Sequence, residues 1–433
     1  MQRSRRGKIQ THEGGAPREG RARQRAVCIA SQPAARDLDE LRELLRTAGV
    51  AVVGELVQQR EQSHPNSYLG SGKLEELKTL AASLDANVIA CDDELSPRQE
   101  RTLESTLGIA VVDRTAIILD IFARHAASAD GKLQVELAQL EYNLARMRGL
   151  WTHLERLGGG VGTRGPGETQ IETDRRLARD RIAVLRRRLR DVHASRQVMR
   201  NERERSALPQ IALAGYTNAG KSTLLNALTG SEVLVADRLF QTLDPTTRAL
   251  EINGRTYLVS DTVGFIRKLP HQLVDAFAAT LEETRRAELI VHVVDASASE
   301  DEIQEMTRAV EDVLEEIGAG ERPRLLVLNK ADLLDELART RAVNGHRDAL
   351  LVSAATGEGL DALSARIDEI FVSSLAPVDL LIPYAEGARL AELHELAGEL
   401  EREDTPEGVR VSALLPAASV ARFARFARRR ETP

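Results

Sequence analysis

Residues 215–222 form the segment whose residue types and spacing indicate chemistry most clearly. The segment reads Gly-Tyr-Thr-Asn-Ala-Gly-Lys-Ser, which matches the pattern of a glycine followed, after four residues, by Gly-Lys-Ser. The backbone N–H groups of such a loop can cradle phosphate oxygens, and the positive end of the following helix adds to the attraction. Lys221 can reach the terminal phosphates, and the hydroxyl of Ser222 can ligate Mg²⁺. The alternative is a chance glycine-rich turn, which the companion motifs below disfavour.

A second segment can act on the same metal ion. Asp261-Thr262-Val263-Gly264 follows the strand predicted over residues 256–260. In this position Asp261 can hold Mg²⁺ through a water molecule, and the N–H of Gly264 can contact the terminal phosphate. We therefore interpret the segment as a switch that senses the terminal phosphate.

Two further segments, each after a predicted strand, point to the base. They are Asn329-Lys330-Ala331-Asp332 and Ser353-Ala354-Ala355. The carboxylate of Asp332 can accept from the ring N–H and the exocyclic amine of guanine, a pair of donors that adenine lacks. Two charge-assisted hydrogen bonds, at about 1.5–3 kcal/mol each, favour GTP over ATP by about 100-fold or more. Asn329 and Lys330 would brace the phosphate loop and the base plane. The backbone of Ser353-Ala354-Ala355 would contact the O6 oxygen of the base.

The first switch should provide a threonine that ligates Mg²⁺ only when the terminal phosphate is present. Thr242 and Thr246 both qualify. The segment Phe240-Gln241-Thr242-Leu243-Asp244 resembles the corresponding segment of Obg-like GTPases, and this resemblance favours Thr242. The predicted metal ligands are accordingly Ser222 and Thr242, with Mg²⁺ as cofactor and GTP as substrate. The predicted nucleotide contacts are Gly215, Tyr216, Thr217, Asn218, Ala219, Gly220, Lys221, Ser222, Phe240, Gln241, Thr242, Leu243, Asp244, Asp261, Thr262, Val263, Gly264, Asn329, Lys330, Ala331, Asp332, Ser353, Ala354 and Ala355.

The residue after the second switch motif is Phe265, where Ras-like enzymes place a glutamine that orients the attacking water. Because a phenyl ring cannot orient water, the sequence predicts slow hydrolysis in isolation and identifies no certain catalytic side chain. Another segment, a partner or a monovalent cation would position the water. Asn218 resembles the asparagine with which some potassium-stimulated GTPases bind K⁺, and a polar residue that braces the loop explains it equally well.

These motifs require a parallel sheet with helices on both faces, and the alternation of strands and helices over residues 208–374 predicts such a GTPase domain. Residues 26–130 alternate in the same way, which predicts a smaller, mostly parallel α/β domain. Residues 375–433 predict a small α+β domain. Residues 131–207, between the small α/β domain and the GTPase domain, predict a helical arm. Residues 1–25 predict a disordered basic tail, and their composition leaves open whether the tail contacts RNA. The expected fold class is multidomain α/β.

The arm region is highly charged and helix-favouring, with its glycines and proline confined to a connection at residues 157–168. This predicts two long antiparallel helices, over residues 132–157 and 168–205, that could project about 35 to 50 Å. A glycine-rich connection suits close approach of the backbone to a partner, a floppy tip being the alternative. The second helix suits a phosphate backbone, a solvated charged surface being the alternative. Its arginines are Arg175, Arg176, Arg179, Arg181, Arg186, Arg187, Arg188 and Arg190.

Two other segments have weaker signals. Residues 66–73 end in Leu-Gly-Ser-Gly-Lys, but Ser67 replaces the first glycine of a phosphate loop and Leu74 replaces the final hydroxyl residue. This favours a tight turn and helix start over a second nucleotide site. Near the C-terminus, Phe423 and Phe426 alternate with arginines, and inward packing of both rings is favoured over stacking on RNA.

The bulk composition fits an ordinary globular protein. The 433 residues are 42% hydrophobic and 29% charged. The net charge of -7 argues against a protein that coats nucleic acid with a uniformly basic surface. The two cysteines, Cys28 and Cys91, lie in apolar segments and suit a reducing compartment. Neither a membrane span nor a secretory signal is recognisable, so the expected location is the cytoplasm.

Three segments together resemble the HflX family of ribosome-associated GTPases. They are residues 158–175 (Gly-Gly-Gly-Val-Gly-Thr-Arg-Gly-Pro-Gly-Glu-Thr-Gln-Ile-Glu-Thr-Asp-Arg), residues 66–73 (Asn-Ser-Tyr-Leu-Gly-Ser-Gly-Lys) and residues 261–267 (Asp-Thr-Val-Gly-Phe-Ile-Arg). The resemblance spans about residues 26–373. It implies a monomeric GTPase that binds the large ribosomal subunit, inserts its glycine-rich arm near the peptidyl-transferase region, and splits stalled or stressed ribosomes. It leaves open which ribosomal state is recognised and what triggers hydrolysis.

Overall fold

The computed structural model describes ten stretches of the chain, and its helices and parallel sheets confirm the predicted multidomain α/β class. The described residues are 24–32, 38–147, 166–206, 208–231, 239–240, 245–267, 278–346, 348–373, 375–397 and 400–427. They divide into two compact units. The first draws on Met1–Val192, Arg238–Leu243 and Lys268–Ala278, and the second on the remainder.

The first unit contains a four-stranded sheet in the order β2-β1-β3-β4. All its strands are parallel, as the alternation of strands and helices predicted. Apolar side chains from the strands and from the helices beside them form one buried core. The elements are β1 (Arg25–Gln32), α1 (Asp39–Thr47), β2 (Ala51–Gln59), α2 (Ser71–Ser83), β3 (Val88–Cys91), α3 (Pro97–Leu107), β4 (Ala110–Asp113) and α4 (Arg114–His125).

A buried polar cluster fixes the C-terminal end of the next helix, α5 (Ala129–Arg146). The carboxylate of Asp113 accepts from the hydroxyl of Tyr142 at 2.7 Å and from the guanidinium of Arg146 at 2.7 Å. The same guanidinium pairs with Glu100 at 2.8 Å. The cluster therefore fixes the last turn of α5, which ends at Arg146. Residues 148–165, which hold most of the glycine-rich connection, lie outside the described residues.

Helix α6 (Pro166–Ser206) has one apolar face and one arginine-rich face. The buried residues recur at helical spacing and are Ala178, Ile182, Leu185 and Leu189. Two of the arginines pair with glutamates of α5: Arg181 with Glu136 at 2.7 Å and Arg186 with Glu141 at 2.8 Å. The arginine surplus that the sequence indicated is therefore partly balanced by the neighbouring helix.

The second unit is built on a six-stranded sheet in the order β10-β9-β8-β5-β7-β6. The strands are parallel except β6, which pairs antiparallel with β7. The central strand β8 is buried along nearly its whole length, as expected of a sheet covered on both faces. The elements are β5 (Gln210–Gly215), α7 (Lys221–Thr229), β6 (Thr246–Ile252), β7 (Arg255–Asp261), α8 (Ala278–Arg286), β8 (Leu289–Asp295), α9 (Glu300–Glu316), β9 (Arg324–Asn329), α10 (Glu336–Gly345), β10 (Leu350–Leu351) and α11 (Leu360–Ser373).

The same unit ends in a three-stranded antiparallel sheet, in the order β11-β13-β12, with its own core. Phe423 is fully buried and Phe426 is 8% exposed, which confirms the inward packing of both rings. Arg425 lies over the ring of Phe426 and pairs with Glu386 at 3.1 Å. The elements are β11 (Leu375–Ile382), α12 (Gly387–Ala397), β12 (Leu400–Thr405), β13 (Gly408–Pro416) and α13 (Ala417–Phe423). Among the described residues, no helix is long and apolar enough to cross a membrane.

Candidate nucleotide-binding site

The phosphate loop connects β5 to α7, as its sequence predicted. The ammonium of Lys221 is 6% exposed and donates to the carbonyls of Gly215 at 3.0 Å and Tyr216 at 2.9 Å. Burial lowers the pKa of Lys221 to about 8, and the nearby carboxylate of Asp261 offsets part of that effect. A phosphate group in the loop would stabilise the charged form of Lys221, because its negative charge would compensate for the water that burial removes from the ammonium.

Two glycines leave room for neighbouring groups. Gly220 has φ +91°, a conformation that other residues adopt rarely, and a Cβ there would collide with the amide nitrogen of Asn329. A Cβ on Gly264 would lie 2.7 Å from Cγ2 of Thr217 and 3.0 Å from Nζ of Lys221. The phosphate loop therefore lies close to Asn329, and the second switch lies close to the phosphate loop, because these two positions lack a side chain.

The residues proposed for Mg²⁺ meet at the N-terminus of α7. The hydroxyl of Ser222 donates to Oδ2 of Asp261 at 2.5 Å, and Asp261 is fully buried at the end of β7. Thr262 is held by a hydrogen bond from its hydroxyl to the carbonyl of Leu213 at 2.7 Å. A hydroxyl and a carboxylate in contact fit Mg²⁺, which prefers oxygen ligands and usually keeps several waters and substrate phosphates.

The first switch is described only at Leu239 and Phe240, and Gln241, Thr242, Leu243 and Asp244 lie outside the described residues. Phe240 is 2% exposed, and its ring centroid lies 4.5 Å from that of Phe122 in an edge-on contact. The N–H of Leu239 donates to the hydroxyl of Thr47 at 3.3 Å. The ring of Phe240 thus packs on residues of the first unit, to which this segment belongs.

Thr246, the alternative switch residue, is the first residue of β6. It pairs with Asp261 in the antiparallel ladder between β6 and β7. A residue whose backbone is fixed in a sheet is poorly suited to move when the terminal phosphate arrives. The position of Thr246 therefore favours Thr242 as the mobile ligand, which stays a prediction.

The second switch is attached to the phosphate loop by backbone hydrogen bonds. The N–H of Phe265 donates to the carbonyl of Gly215 at 3.0 Å, and the N–H of Thr217 donates to the carbonyl of Phe265 at 2.7 Å. The ring of Phe265 is 1% exposed. The hydroxyl of Tyr216 also accepts from the N–H of Arg267 at 2.8 Å. Phe265 is consequently a fixed, apolar part of the site.

Asn329 connects three parts of the site. Its amide nitrogen donates to the carbonyl of Ala219 at 2.9 Å, and its amide oxygen accepts from the N–H of Ala354 at 3.0 Å. The side chain is 2% exposed. It therefore ties the phosphate loop to the segment expected at the base oxygen, the bracing role that the sequence predicted.

The other two polar residues of that motif have partners of their own. The ammonium of Lys330 pairs with Asp295 at 2.6 Å, and the residue has φ +67°. The carboxylate of Asp332 accepts from the hydroxyl of Ser353 at 2.5 Å. Asp295 was absent from the predicted site, although its position at the carboxyl end of the buried strand β8 could have indicated it.

The predicted site residues of the second unit lie together at one edge of its sheet, whereas Phe240, which the sequence also predicted as a nucleotide contact, belongs to the first unit. The phosphate loop, residues 261–264, residues 329–332 and residues 353–354 follow strands β5, β7, β9 and β10, whose carboxyl ends meet there. Ala355 is exposed beside them. Among the described residues, no group of three or more His, Cys, Asp or Glu side chains could hold a metal by itself.

The second, incomplete loop is engaged within the first unit. The N–H of Gly70 donates to the side chain of Gln58 at 2.9 Å, and Lys73 pairs with Glu76 at 2.9 Å. The hydroxyl of Tyr68, which is 1% exposed, donates to Asp93 at 2.5 Å. These contacts favour the turn and helix start that the sequence indicated.

Three sequence families match consecutive parts of the chain. Residues 35–123 match the family described as "GTP-binding GTPase N-terminal", and residues 125–203 match "GTP-binding GTPase Middle Region". Residues 210–330 match "50S ribosome-binding GTPase". The third match contains the phosphate loop and the second switch, and it ends at Lys330, the second residue of the segment Asn329-Lys330-Ala331-Asp332.

Similar proteins cover most of the chain. The "GTPase HflX" of Lacrimispora saccharolytica is 46% identical over 388 residues, which are 89% of this chain and 91% of that protein. The "GTPase HflX" of Escherichia coli K12 is 45% identical over 375 residues, 85% of this chain and 87% of that protein. A crystal structure of a GTP-binding protein from Sulfolobus solfataricus in complex with GDP aligns with a TM-score of 0.43 and 26% identity, over 80% of this chain and 98% of that chain.

Proposed function

Because the chain belongs to the HflX family of GTPases, we propose that it binds the large ribosomal subunit and splits stalled or stressed ribosomes in a GTP-dependent manner. The family membership makes the chain a GTPase with GTP as its substrate. What we propose beyond this is that the protein binds the ribosome, that it splits the ribosome, and that it is located in the cytoplasm, where ribosomes are found. We also propose that the protein acts as a monomer.

The observation that carries the nucleotide part of this proposal is the double contact of Asn329. One side chain ties the phosphate loop at Ala219 to the base segment at Ala354, so the two ends of a bound GTP would be held by one rigid frame. Lys221, Ser222 and Asp261 then supply the cation and the magnesium ligands. Mg²⁺ held by these residues would supply positive charge next to the phosphates.

The arginine face of α6 supports the ribosomal part of the proposal. Five exposed arginines on that helix form no ion pair with any other described residue, and these are Arg176, Arg179, Arg187, Arg188 and Arg190. Unbalanced arginines along one helix fit the phosphate backbone of RNA. The helix begins at Pro166, near the end of the glycine-rich connection.

We further propose that hydrolysis is slow in isolation and is stimulated by the ribosome. The buried ring of Phe265 cannot orient water, and its backbone bonds to Gly215 and Thr217 hold it in place. K⁺ is a second proposed activator, with Asn218 as its ligand. Asn218 is exposed at the surface of the loop and has φ +62°.

The cation proposal predicts that K⁺ raises the GTPase rate of the isolated protein above the rate in Na⁺, because the larger ion fits an additional site at the phosphates. The rates are measured at equal ionic strength, with Asn218→Ala as the variant that should lose the difference. Equal rates in the two salts would exclude K⁺ as an activator.

The ribosomal proposal predicts that the protein with GTP, or with a non-hydrolysable analogue, shifts intact ribosomes to separated subunits in a sucrose gradient. Deleting residues 158–167 should abolish this shift while GTP affinity stays within about twofold, since the deleted segment contains none of the predicted nucleotide contacts. If the deletion variant splits ribosomes at the wild-type rate, the arm is not the splitting element. If the wild-type protein binds ribosomes without separating them, it is a GTP-dependent scaffold instead.

A further inference from the structure

Tyr216 in the phosphate loop has a side chain that the cradling of phosphate by backbone does not require. The residue is 8% exposed. Its carbonyl accepts from the ammonium of Lys221 at 2.9 Å and from the N–H of Ala219 at 3.3 Å, and these contacts fix the backbone of Tyr216 within the loop. The side chain extends from the loop to the second switch, where its hydroxyl accepts from the N–H of Arg267 at 2.8 Å.

Hydrogen bonds hold the second switch at its start, its middle and its end. At the start, the hydroxyl of Thr262 donates to a carbonyl of β5 at 2.7 Å. In the middle, the N–H and the carbonyl of Phe265 both bond to the backbone of the phosphate loop. At the end, the N–H of Arg267 bonds to the hydroxyl of Tyr216. The last bond uses a side chain of the phosphate loop, so a substitution can remove it without altering either backbone.

Arg267 lies at a junction in the chain. It is the last residue of one stretch of the second unit, and residues 268–278 belong to the first unit. Its guanidinium pairs with Glu305 of α9 at 3.3 Å, but the two side chains are 34% and 38% exposed, and ion pairs this exposed contribute little. Of the two contacts, the hydrogen bond to the buried Tyr216 is therefore the stronger restraint on Arg267.

Gly264, three residues before Arg267, lies where a small displacement would matter. A Cβ built on Gly264 would lie 3.0 Å from Nζ of Lys221. The backbone of the switch and the ammonium expected at the terminal phosphate are therefore neighbours. Because a hydrogen bond weakens steeply when its geometry is lost, the N–H of Gly264 can stabilise charge on that phosphate only if the switch is held in place beforehand.

We propose that Tyr216 is a positioning residue, whose hydroxyl holds the second switch so that the N–H of Gly264 meets the terminal phosphate of GTP. GDP lacks that phosphate, so its contacts with the loop do not depend on the switch. The side chain of Tyr216 thereby contributes to the preference for GTP over GDP and to the rate of hydrolysis. This role rests on nucleotide binding at the phosphate loop and is independent of the ribosomal partner.

The test replaces Tyr216 with phenylalanine, which keeps the ring and removes the hydroxyl. In the full-length variant, the affinity for a non-hydrolysable GTP analogue should fall about 3- to 10-fold, the equivalent of one neutral hydrogen bond, while the affinity for GDP stays within about twofold. The value of kcat should fall by a similar factor, because the contact made by Gly264 is also weaker in the transition state. Hydrogen exchange of a peptide that contains residues 262–267 should become faster.

Tyr257→Phe is the matched control. Tyr257 is fully buried in β7, and its hydroxyl donates to Asp368 at 2.6 Å. The variant therefore loses a tyrosine hydroxyl bond in the same unit, away from the second switch. Its Tm should fall, whereas its kcat and its preference between the GTP analogue and GDP should match the wild type.

Wild-type analogue affinity and kcat in Tyr216→Phe, with weak GTP binding by Lys221→Ala, would overturn this role of Tyr216 alone. Equal losses of affinity for the analogue and for GDP would also overturn it, because they would show that Tyr216 only supports the loop. The same change of preference in Tyr257→Phe would overturn it as well, since any loss of stability in the unit would then be sufficient. Normal GTP affinity in Lys221→Ala would instead overturn the nucleotide site on which this role rests.

Discussion

Replacing Lys221 with alanine is expected to lower the affinity for GTP by about 100-fold or more, because two or more charge-assisted contacts at about 1.5–3 kcal/mol each would be lost. This ammonium is buried, and it donates to the carbonyls of Gly215 and Tyr216. Those carbonyls offer partial charges, whereas the phosphates of GTP offer full ones. Equilibrium binding of a fluorescent GTP analogue measures the loss.

Lys73 provides a matched control for that experiment. It ends the glycine-containing segment of the first unit, and it pairs with Glu76. Lys73→Ala should leave GTP affinity unchanged. Loss of GTP binding in the Lys73 variant, with normal binding in the Lys221 variant, would contradict our assignment and would place the nucleotide in the first unit.

Replacing Asp332 with asparagine is expected to change the base that the protein accepts. A carboxylate accepts from two donors of guanine, whereas an amide offers one donor and one acceptor. Xanthine matches the amide because it carries a ring N–H beside a carbonyl oxygen. The variant should therefore lose about 100-fold or more in GTP affinity and should bind xanthosine triphosphate more tightly than GTP. Competition of both nucleotides against a fluorescent analogue measures the change.

Asp335 offers a control that removes the same charge nearby. Its carboxylate caps α10 by accepting from the N–H of Ala338 at 2.7 Å, and asparagine caps helices about equally well. Asp335→Asn should keep the wild-type preference for GTP. An Asp332→Asn variant that still prefers GTP would show that another residue reads the base.

The nucleotide site could be predicted from the sequence because each motif is local. A strand, a turn and a helix start specify where the phosphate loop lies, and the carboxyl ends of parallel strands must meet at one edge of the sheet. That reasoning identifies Asn329 as a brace of the phosphate loop, and in the structure its side chain contacts Ala219 and Ala354. The order of the motifs along the chain therefore predicts most of the candidate site.

Contacts that depend on pairing between distant segments were not predictable in the same way. Strand β12 (Leu400–Thr405) is charged and mostly exposed, and the local sequence does not indicate a strand there without its pairing with β13. The partner of Lys330 depends on the register of β8 and β9, in which Asp295 lies opposite Asn329. The packing of Phe240 on Phe122 joins residues that no local pattern relates.

The two backbone bonds between Phe265 and the phosphate loop also bear on how fast nucleotide exchanges. They order the loop during folding, so its conformational entropy is lost before GTP arrives and association need not wait for a rearrangement. Entry should then be limited by diffusional encounter, and residence time by the rate at which the contacts to nucleotide break.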